Sequence, residues 1–339
     1  MNIRPPTDEA IDEAVARLRA GELIGLPTET VYGLAGDASN VHAVARIFAL
    51  KGRPATHPVI VHLESPDAVH EWAREISSDA GKLLAAFAPG PLTLILRRSP
   101  RVLDVVTGGQ DTVGLRVPSH PVARRVLRAF GGGIAAPSAN RFGRISATAA
   151  AHVVEEFEGA PMGVGVLDLV LDGGPCDVGI ESTIVDVSGL ASERSATLLR
   201  PGAITASELE RVLGYPLAVR GPASPRVSGD LPSHYAPQTP TRRVDPRRLV
   251  AEAVMDGPLR VAVLSRTVEP PPDFRGIWRA TPVDAAGYGR ALYAEMRVLD
   301  ASAVDLILVE SPPDQAEWQA INDRLRRATH DAESRLPQA

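Results

Sequence analysis

Lys51 and Lys82 are the only lysines among the 36 lysine and arginine side chains of this sequence, and Lys51 stands two residues before Arg53. A lysine ammonium is a compact point charge, whereas an arginine guanidinium is a planar fork of donors. A site with a lysine and an arginine close together can bind one anion through both a point charge and a planar fork. Phosphate groups are common ligands of such pairs. Lys51 could instead only cap a helix, because cations are favoured at helix C-termini.

Further polar side chains follow directly on apolar, strand-like runs. The segments are 27–34 (PTETVYGL), 111–118 (DTVGLRVP), 135–140 (AAPSAN), 179–184 (GIESTI) and 198–202 (LLRPG). Sites in α/β proteins are commonly built at strand ends, although each segment alone could be a turn with local hydrogen bonds. Arg116 lies within a predicted strand and is costly to bury unpaired, so we expect it to meet an anion or a carboxylate. His62 alone is more often a satisfied core histidine than a ligand.

Composition restricts the class of protein. The sequence is 44% hydrophobic and 23% charged, with mean hydropathy near zero, as in globular proteins. Its net charge of −5 argues against a general nucleic-acid coat. The single Cys176 excludes an intramolecular disulfide and offers no second thiol for a metal cluster. Without a bilayer-spanning apolar run or an N-terminal signal core, the chain is expected to be cytoplasmic.

Alternating helix and strand patterns predict an α/β protein in three parts. Residues 1–215 are predicted to form a domain around a twisted mixed sheet, residues 216–240 an extended linker, and residues 241–339 a small Rossmann-like domain. Strands are predicted at Glu22–Leu26, Pro58–Leu63, Leu92–Leu96, Val113–Val117, Ile134–Ala136, Val166–Leu171, Thr183–Val187, Leu259–Leu264 and Asp305–Val309. Helices are predicted at Asp8–Ala20, 40–50, Pro121–Phe130, Ala147–Glu158, Thr205–Leu213, Pro246–Met255, Ala285–Leu299 and Gln315–Thr329, and one or two helices are predicted over Pro66–Phe87. The chain has no Walker A motif and no glycine-rich strand-to-helix turn, so a familiar nucleotide cradle is not expected.

Taken together in their order, these segments resemble a known family. The runs PTETVYGLAGD, LKGRP, HPVIVHL, DTVGLRVPSHP, AAPSAN, GIESTIVD and LLRPG resemble the YrdC-like domain. The SHYAP segment at 233–237 and the C-terminal α/β pattern are similar to those of two-domain threonylcarbamoyl-AMP synthases. The resemblance implies synthesis of threonylcarbamoyl-AMP and pyrophosphate from L-threonine, bicarbonate or CO2, and ATP with Mg²⁺. The product then passes to tRNA threonylcarbamoyl-transferase proteins, which modify tRNAs that read ANN codons.

The resemblance also implies roles for individual residues. L-Threonine would be bound by Thr30, His62, Arg116, Ala136 and Ser182. ATP would be bound by Lys51, Arg53, His57, Thr112, Ser138, Ser146, Arg200 and Tyr235. Lys51 and Arg53 would be catalytic, because negative charge grows on the leaving pyrophosphate. No protein-based metal site and no membrane or stable nucleic-acid contact is implied, and Glu29 and Glu181 are candidates for a general base by residue type only.

Two departures and two alternatives accompany this interpretation. His57 stands where the family commonly has asparagine, and Ser228-Gly229-Asp230 replaces an expected Pro-Gly step in the linker. One alternative is an RNA-binding YrdC-like module without synthase activity, although the acidic net charge and few aromatic residues argue against it. The other is a stand-alone YrdC-like hydrolase or carbamoyl-transfer component, against which the two-domain layout argues.

Overall fold

The structure, a computed structural model, describes residues 1–159, 167–189, 196–255 and 259–330. The first 215 residues contain strands β1 (Asn2–Arg4), β2 (Leu23–Leu26), β3 (Gly33–Asp37), β4 (Ile60–His62), β5 (Leu92–Arg97), β6 (Thr112–Arg116), β7 (Ile134–Ala135), β8 (Leu167–Leu171), β9 (Thr183–Asp186) and β10 (Thr197–Arg200). The helices of the same part are α1 (Asp8–Arg19), α2 (Val41–Lys51), α3 (Val69–Trp72), α4 (Ser78–Phe87), α5 (Asp104–Thr107), α6 (Pro121–Phe130), α7 (Ala150–Phe157) and α8 (Ala206–Leu213).

The strands β1 to β10 form one mixed sheet in the order β1-β8-β2-β3-β7-β4-β6-β5-β9-β10. The pairs β4–β6 and β5–β9 are parallel, whereas β5–β6 and β4–β7 are antiparallel. A continuous apolar core lies on this sheet, built from residues such as Tyr32, Leu34, Val61, Leu94 and Leu115, all of which are buried. The prediction of an α/β fold around a mixed sheet is therefore confirmed.

Helix α2 places Lys51 at its last position. The Asn40 side chain accepts hydrogen bonds from the backbone N–H groups of His42 and Ala43, which caps the start of the helix. Gly52 ends the helix in the left-handed conformation with φ 62°, which glycine adopts without a steric penalty. Lys51 thus occupies the helix C-terminus, as expected for a cap, but it is buried.

The second sheet belongs to residues 241–330, here termed the C-terminal unit. Its strands are β11 (Thr241–Val244), β12 (Val261–Ser265), β13 (Ile277–Ala280) and β14 (Leu306–Glu310), all parallel, in the order β11-β14-β12-β13. Helices α9 (Pro246–Met255), α10 (Ala285–Asp300) and α11 (Gln319–Ala328) accompany it. None of the helices in the described ranges has the length and apolarity needed to cross a membrane.

The structure departs from the predicted elements at short or glycine-containing segments. The sequence patterns do not predict β1, β3, β10, β11, β13 or the four-residue α5. The region Pro66–Phe87, predicted as one or two helices, contains the two helices α3 and α4. The predicted strand Val166–Leu171 begins in the structure at Leu167, and Val166 and residues 331–339 lie outside the described residues. The linker segment (216–240) does not simply extend between the two sheets, because Val227, His234 and Tyr235 are buried.

Candidate active site

Arg116 lies at the centre of a cluster formed by three adjacent strands. It is the last residue of β6, and it is in register with His62 at the end of β4 and with Thr93 on β5. Two consecutive residues of the loop after β2 contact its fork: Arg116 Nη2 donates to Glu29 Oε1 at 2.6 Å, and Nη1 donates to Thr30 Oγ1 at 2.8 Å. The expectation that a buried Arg116 meets a carboxylate is confirmed.

Glu29 is held as an ionised partner of Arg116. Burial alone would raise its pKa, but the charge and hydrogen bond of Arg116 outweigh burial and hold the pKa below its ordinary value. The backbone N–H of Ser119 donates to the second carboxylate oxygen at 3.1 Å. A carboxylate engaged in this way is poorly placed to act as a general base, so Glu29 is better described as the residue that orients Arg116.

Ser182 connects this cluster to Arg200. Its hydroxyl lies 2.8 Å from Thr93 Oγ1, and Arg200 donates to the Ser182 carbonyl at 3.0 Å and to its hydroxyl at 3.1 Å. Arg200 ends β10, which pairs with β9 immediately after Ser182. Ala136 is buried beside Gly33, where a Cβ on the glycine would come within 3.0 Å of the Ala136 Cβ. The five residues assigned to threonine by resemblance therefore lie on adjoining strand ends of one sheet.

Lys51 reaches the loop that follows β7. Its Nζ donates to the carbonyls of Ser138 and Asn140, each at 2.5 Å. Burial lowers the pKa of Lys51 well below its ordinary value, and the nearby charge of Arg53 lowers it further. An anion at this position would favour the charged ammonium, so the environment of Lys51 is suited to phosphate binding.

Arg53 and Arg200 meet at the linker segment. Arg53 Nη2 donates to the Pro58 carbonyl at 2.8 Å and to Ser228 Oγ at 3.3 Å, while Arg200 Nη1 donates to the Ser228 carbonyl at 2.9 Å. Burial lowers the pKa of Arg53 to about 10, which leaves the guanidinium charged at neutral pH. Ser228 thus holds two cations that could otherwise meet phosphate oxygens.

Aromatic side chains of the linker segment pack with Phe142, which lies beside Arg53. Phe142 lies between the rings of His57 and His234, with centroid distances of 5.3 and 5.9 Å, and the guanidinium of Arg53 is 5.6 Å from the Phe142 centroid. His234 packs on Tyr235 at 4.2 Å. Gly229 (φ 84°) makes this packing possible, because a Cβ there would lie 2.2 Å from the Tyr235 hydroxyl.

Thr112 is the first residue of β6, at the opposite end of that strand from Arg116. It borders a small cavity of about 10 Å³ that is also lined by Ile60, Ile95, Val227 and Ser228. Val227 packs in an apolar cluster with Ile95, Ile184 and Leu199. Linker residues therefore form part of the wall of the space beside Thr112.

Ser146 and Glu181 join the site to the C-terminal unit. Ser146 Oγ donates to Glu181 Oε1 at 2.5 Å, and Arg324 Nε on α11 donates to Oε2 at 2.8 Å. Burial alone would raise the pKa of Glu181, but Arg324 and Arg200 outweigh it and keep the pKa below its ordinary value. As with Glu29, the carboxylate is ionised and paired. No sequence pattern predicts the role of Arg324, because its partner Glu181 lies 143 residues away.

Several polar atoms of the site are buried without a hydrogen-bond partner among the described residues. They are Arg53 Nε, His62 Nδ1, Asn140 Oδ1, His234 Nδ1 and Tyr235 Oη. Each such atom costs roughly 1–3 kcal/mol when it is left unsatisfied, so native proteins rarely gather them. Their concentration around Arg116, Arg53 and Arg200 indicates a site that is completed by a polar ligand. The described residues contain no group of three His, Cys, Asp or Glu side chains that could hold a metal ion.

Two buried histidines are expected to make the folded state less stable in acid. Burial lowers the pKa of His62 and of His234 to about 3 from an ordinary value of 6.5. The unfolded chain takes up both protons as the pH falls through 6.5, whereas the folded protein does so only near pH 3. Stability is therefore complete above pH 6.5 and is lost below it, by about 1.4 kcal/mol per pH unit for each histidine.

Urea unfolding at pH 7.5, 6 and 5 measures this loss. His62→Gln is expected to make the decline with pH shallower, and substitution of the exposed His70 by glutamine is the matched control. An equal decline in wild type and His62→Gln would contradict a neutral buried imidazole at this position.

The sequence and structure of this chain are similar to those of known proteins. A Sua5/YciO/YrdC family model, described as "Telomere recombination", matches residues 16–202, and a Sua5 model, described as "Threonylcarbamoyl-AMP synthase, C-terminal domain", matches residues 204–330. Proteins named threonylcarbamoyl-AMP synthase are 36% identical in Pyrococcus abyssi, over 97% of each chain, and 36% identical in Bacillus subtilis, over 95% of this chain and 93% of the other. The crystal structure of P. abyssi Sua5 complexed with L-threonine superimposes with a TM-score of 0.86 at 34% identity, covering 96% of each chain.

Proposed function

We infer that this chain, which belongs to the Sua5/YciO/YrdC family, is active as a threonylcarbamoyl-AMP synthase. Its two-sheet architecture and its near full-length similarity to proteins of that name support this function. In the reaction, the neutral amine of L-threonine attacks CO2 derived from bicarbonate, and a proton is released. The carbamate oxygen then attacks the α-phosphorus of ATP, and pyrophosphate leaves.

The Arg116 cluster forms the threonine end of the proposed site. The carboxylate of L-threonine is bound by the fork of Arg116, which Glu29 and Thr30 already orient. His62 is neutral because burial lowers its pKa to about 3, so its free Nδ1 can accept a hydrogen bond from the threonine hydroxyl. An amino acid without the hydroxyl leaves this polar group unpaired, which disfavours valine.

Cationic side chains form the phosphate end. Lys51, Arg53 and Arg200 are buried within one region and stabilise the charge that develops on the leaving pyrophosphate. Ser138, Ser146, Thr112, His57 and Tyr235 surround the nucleotide in this proposal. Mg²⁺ enters with ATP and is held by phosphate oxygens and water, as is usual for this ion. The division of the chain after residues 215 and 240 and the cytoplasmic location are part of the same proposal.

The observation that carries the proposal is the set of buried, unpartnered polar atoms on Arg53, His62 and Tyr235. These atoms belong to residues assigned to threonine and to ATP by sequence motif, and the two groups adjoin through Ser182 and Arg200. A ligand with a hydroxy amino acid at one end and a polyphosphate at the other satisfies both groups.

Pyrophosphate release tests the function. Purified protein is expected to release pyrophosphate only when L-threonine, bicarbonate, ATP and Mg²⁺ are all present. Valine in place of threonine is expected to lower kcat/KM by about 100-fold or more, because the hydroxyl partner remains unpaired. Release that does not depend on threonine, or salt-sensitive tRNA binding without ATP turnover, would contradict the synthase assignment. Transfer of the product to tRNA by partner proteins is the expected next step.

A further inference from the structure

Glu181 is a buried carboxylate whose partners come from both parts of the chain. Its Oε1 accepts from Ser146 at 2.5 Å, and its Oε2 accepts from the Tyr293 hydroxyl at 3.0 Å and from Arg324 at 2.8 Å. Arg324 Nη2 also donates to the Glu181 carbonyl at 3.3 Å. Tyr293 on α10 and Arg324 on α11 are 0% and 1% exposed. The C-terminal unit therefore determines where this carboxylate lies.

Charge balance explains why Glu181 needs such a partner. An uncompensated carboxylate beside Arg200 would repel the phosphates of a nucleotide and would be costly to bury. Arg324 is the first of the two cations that hold the pKa of Glu181 below its ordinary value. Because the charge of Arg324 balances that of the ionised carboxylate, Glu181 can orient the hydroxyl of Ser146 without repelling an anion.

A second contact from α10 holds the backbone at the same position. Arg297 Nη2 donates to the Ile145 carbonyl at 2.5 Å, and its Nε donates to the Ser146 carbonyl at 3.3 Å. Tyr293 and Arg297 are four residues apart and share one face of the helix. The side chain and the backbone of Ser146 are thus fixed by the same surface of the C-terminal unit.

We propose that Tyr293, Arg297 and Arg324 are positioning residues that act on Ser146, directly or through Glu181, and preorganise the nucleotide end of the site. This inference rests on the proposed function, which assigns Ser146 to ATP. The threonine end differs, because the contacts of Arg116 with Glu29, Thr30 and Gly90 all lie within the first 215 residues. The C-terminal unit is consequently expected to affect affinity for ATP more strongly than affinity for threonine, although Ser182, which is assigned to threonine, directly follows Glu181.

A double-mutant cycle on equilibrium binding tests the proposal. Tyr293→Phe, which removes one hydroxyl, is expected to raise the Kd for ATP about tenfold, as for loss of a hydrogen bond to a charged group. The Kd for L-threonine is expected to change by less than about twofold, because the Arg116 contacts lie away from Tyr293 and share no partner with it. In a Ser146→Ala background, Tyr293→Phe is expected to add no further loss, because its effect passes through that hydroxyl. Titration calorimetry of the full chain measures both constants.

Tyr288→Phe is the matched control. Tyr288 lies on the same helix and is fully buried, but its hydroxyl has no hydrogen-bond partner among the described residues. This substitution is expected to leave both dissociation constants unchanged. Additive losses in the cycle, equal losses for ATP and threonine, or the same loss in Tyr288→Phe would overturn the proposal. An unchanged Kd for ATP in Ser146→Ala would also overturn it, whereas threonine-dependent pyrophosphate release would still support the proposed function.

Discussion

Replacing Arg116 by lysine is expected to lower kcat/KM for L-threonine about 100-fold while the protein remains folded. The guanidinium divides its donors between Glu29 at 2.6 Å and Thr30 at 2.8 Å, and its Nε donates to the Gly90 carbonyl at 3.3 Å. An ammonium keeps the charge that Glu29 requires but cannot reproduce the planar fork that binds a carboxylate through two parallel bonds. The loss of one charge-assisted hydrogen bond, about 1.5–3 kcal/mol, accounts for most of this decrease. Pyrophosphate release at varied threonine concentrations measures it.

Arg97→Lys provides the matched control for this substitution. Arg97 ends the neighbouring strand β5, but its side chain is 37% exposed and lies 3.7 Å from Glu75 at the surface. Exposed ion pairs of this kind contribute little, so turnover is expected to change less than twofold. Normal kcat/KM in Arg116→Lys, with unchanged thermal unfolding, would mean that the threonine carboxylate binds elsewhere.

Lys51 illustrates what the sequence could predict about the site and what it could not. The sequence left open whether Lys51 caps a helix or binds phosphate, and the structure places it at the C-terminus of α2 and also buries its amine. The carbonyls it contacts belong to Ser138 and Asn140, which are 87 and 89 residues away. Local patterns specify residue type and helix end, whereas a contact over this separation depends on the order of strands in the sheet.

Glu29 shows the same limit for electrostatics. Its residue type made it a candidate general base, but its protonation is determined by Arg116, which lies 87 residues away. The position of Arg116 within a predicted strand, where an unpaired charge is costly to bury, predicted that it would meet an anion or a carboxylate. It did not identify which carboxylate, because that pairing requires the loop after β2 to lie over the end of β6.

Strand β3, which the sequence patterns did not predict, forms because pairing with adjacent strands outweighs the low strand propensity of its own residues. Strand β3 has the sequence GLAGD, and glycine is depleted in strands. It nevertheless pairs with β2 on one side and β7 on the other, because its small residues pack under α2. Strands β5 and β6 were predicted, since Val, Ile, Leu and Thr residues, most of them buried, make up most of these strands. The linker segment was predicted to be extended from its Pro, Ser and Gly content, which does not predict the burial of Val227. Tyr235, in contrast, was assigned to ATP through the SHYAP segment, and it is buried.

Replacing Arg324 by methionine is expected to lower the free energy of unfolding by about 3–5 kcal/mol. The substitution removes the 2.8 Å ion pair and leaves the Glu181 carboxylate buried with Ser146, Tyr293 and the more distant charge of Arg200. Arg324 is 1% exposed, so water cannot replace its guanidinium without opening the contact between α11 and Glu181. Urea unfolding at pH 7.5 measures the loss.

The pH dependence of this loss identifies the buried charge as its cause. In the wild type the pKa of Glu181 is lowered, so the stability from its ionised form is present above an ordinary pKa of 4.5 and is lost as the pH falls through the folded value. Without Arg324 the carboxylate takes up a proton more readily, so the difference in unfolding free energy between variant and wild type is expected to shrink on acidification.

Glu181→Gln combined with Arg324→Met should recover part of the stability, because no unpaired charge remains. Arg326→Met, on the exposed side of α11, should cost less than about 1 kcal/mol. A loss in Arg324→Met that is independent of pH and is not relieved by Glu181→Gln would show that Arg324 stabilises the protein by packing and not by its charge.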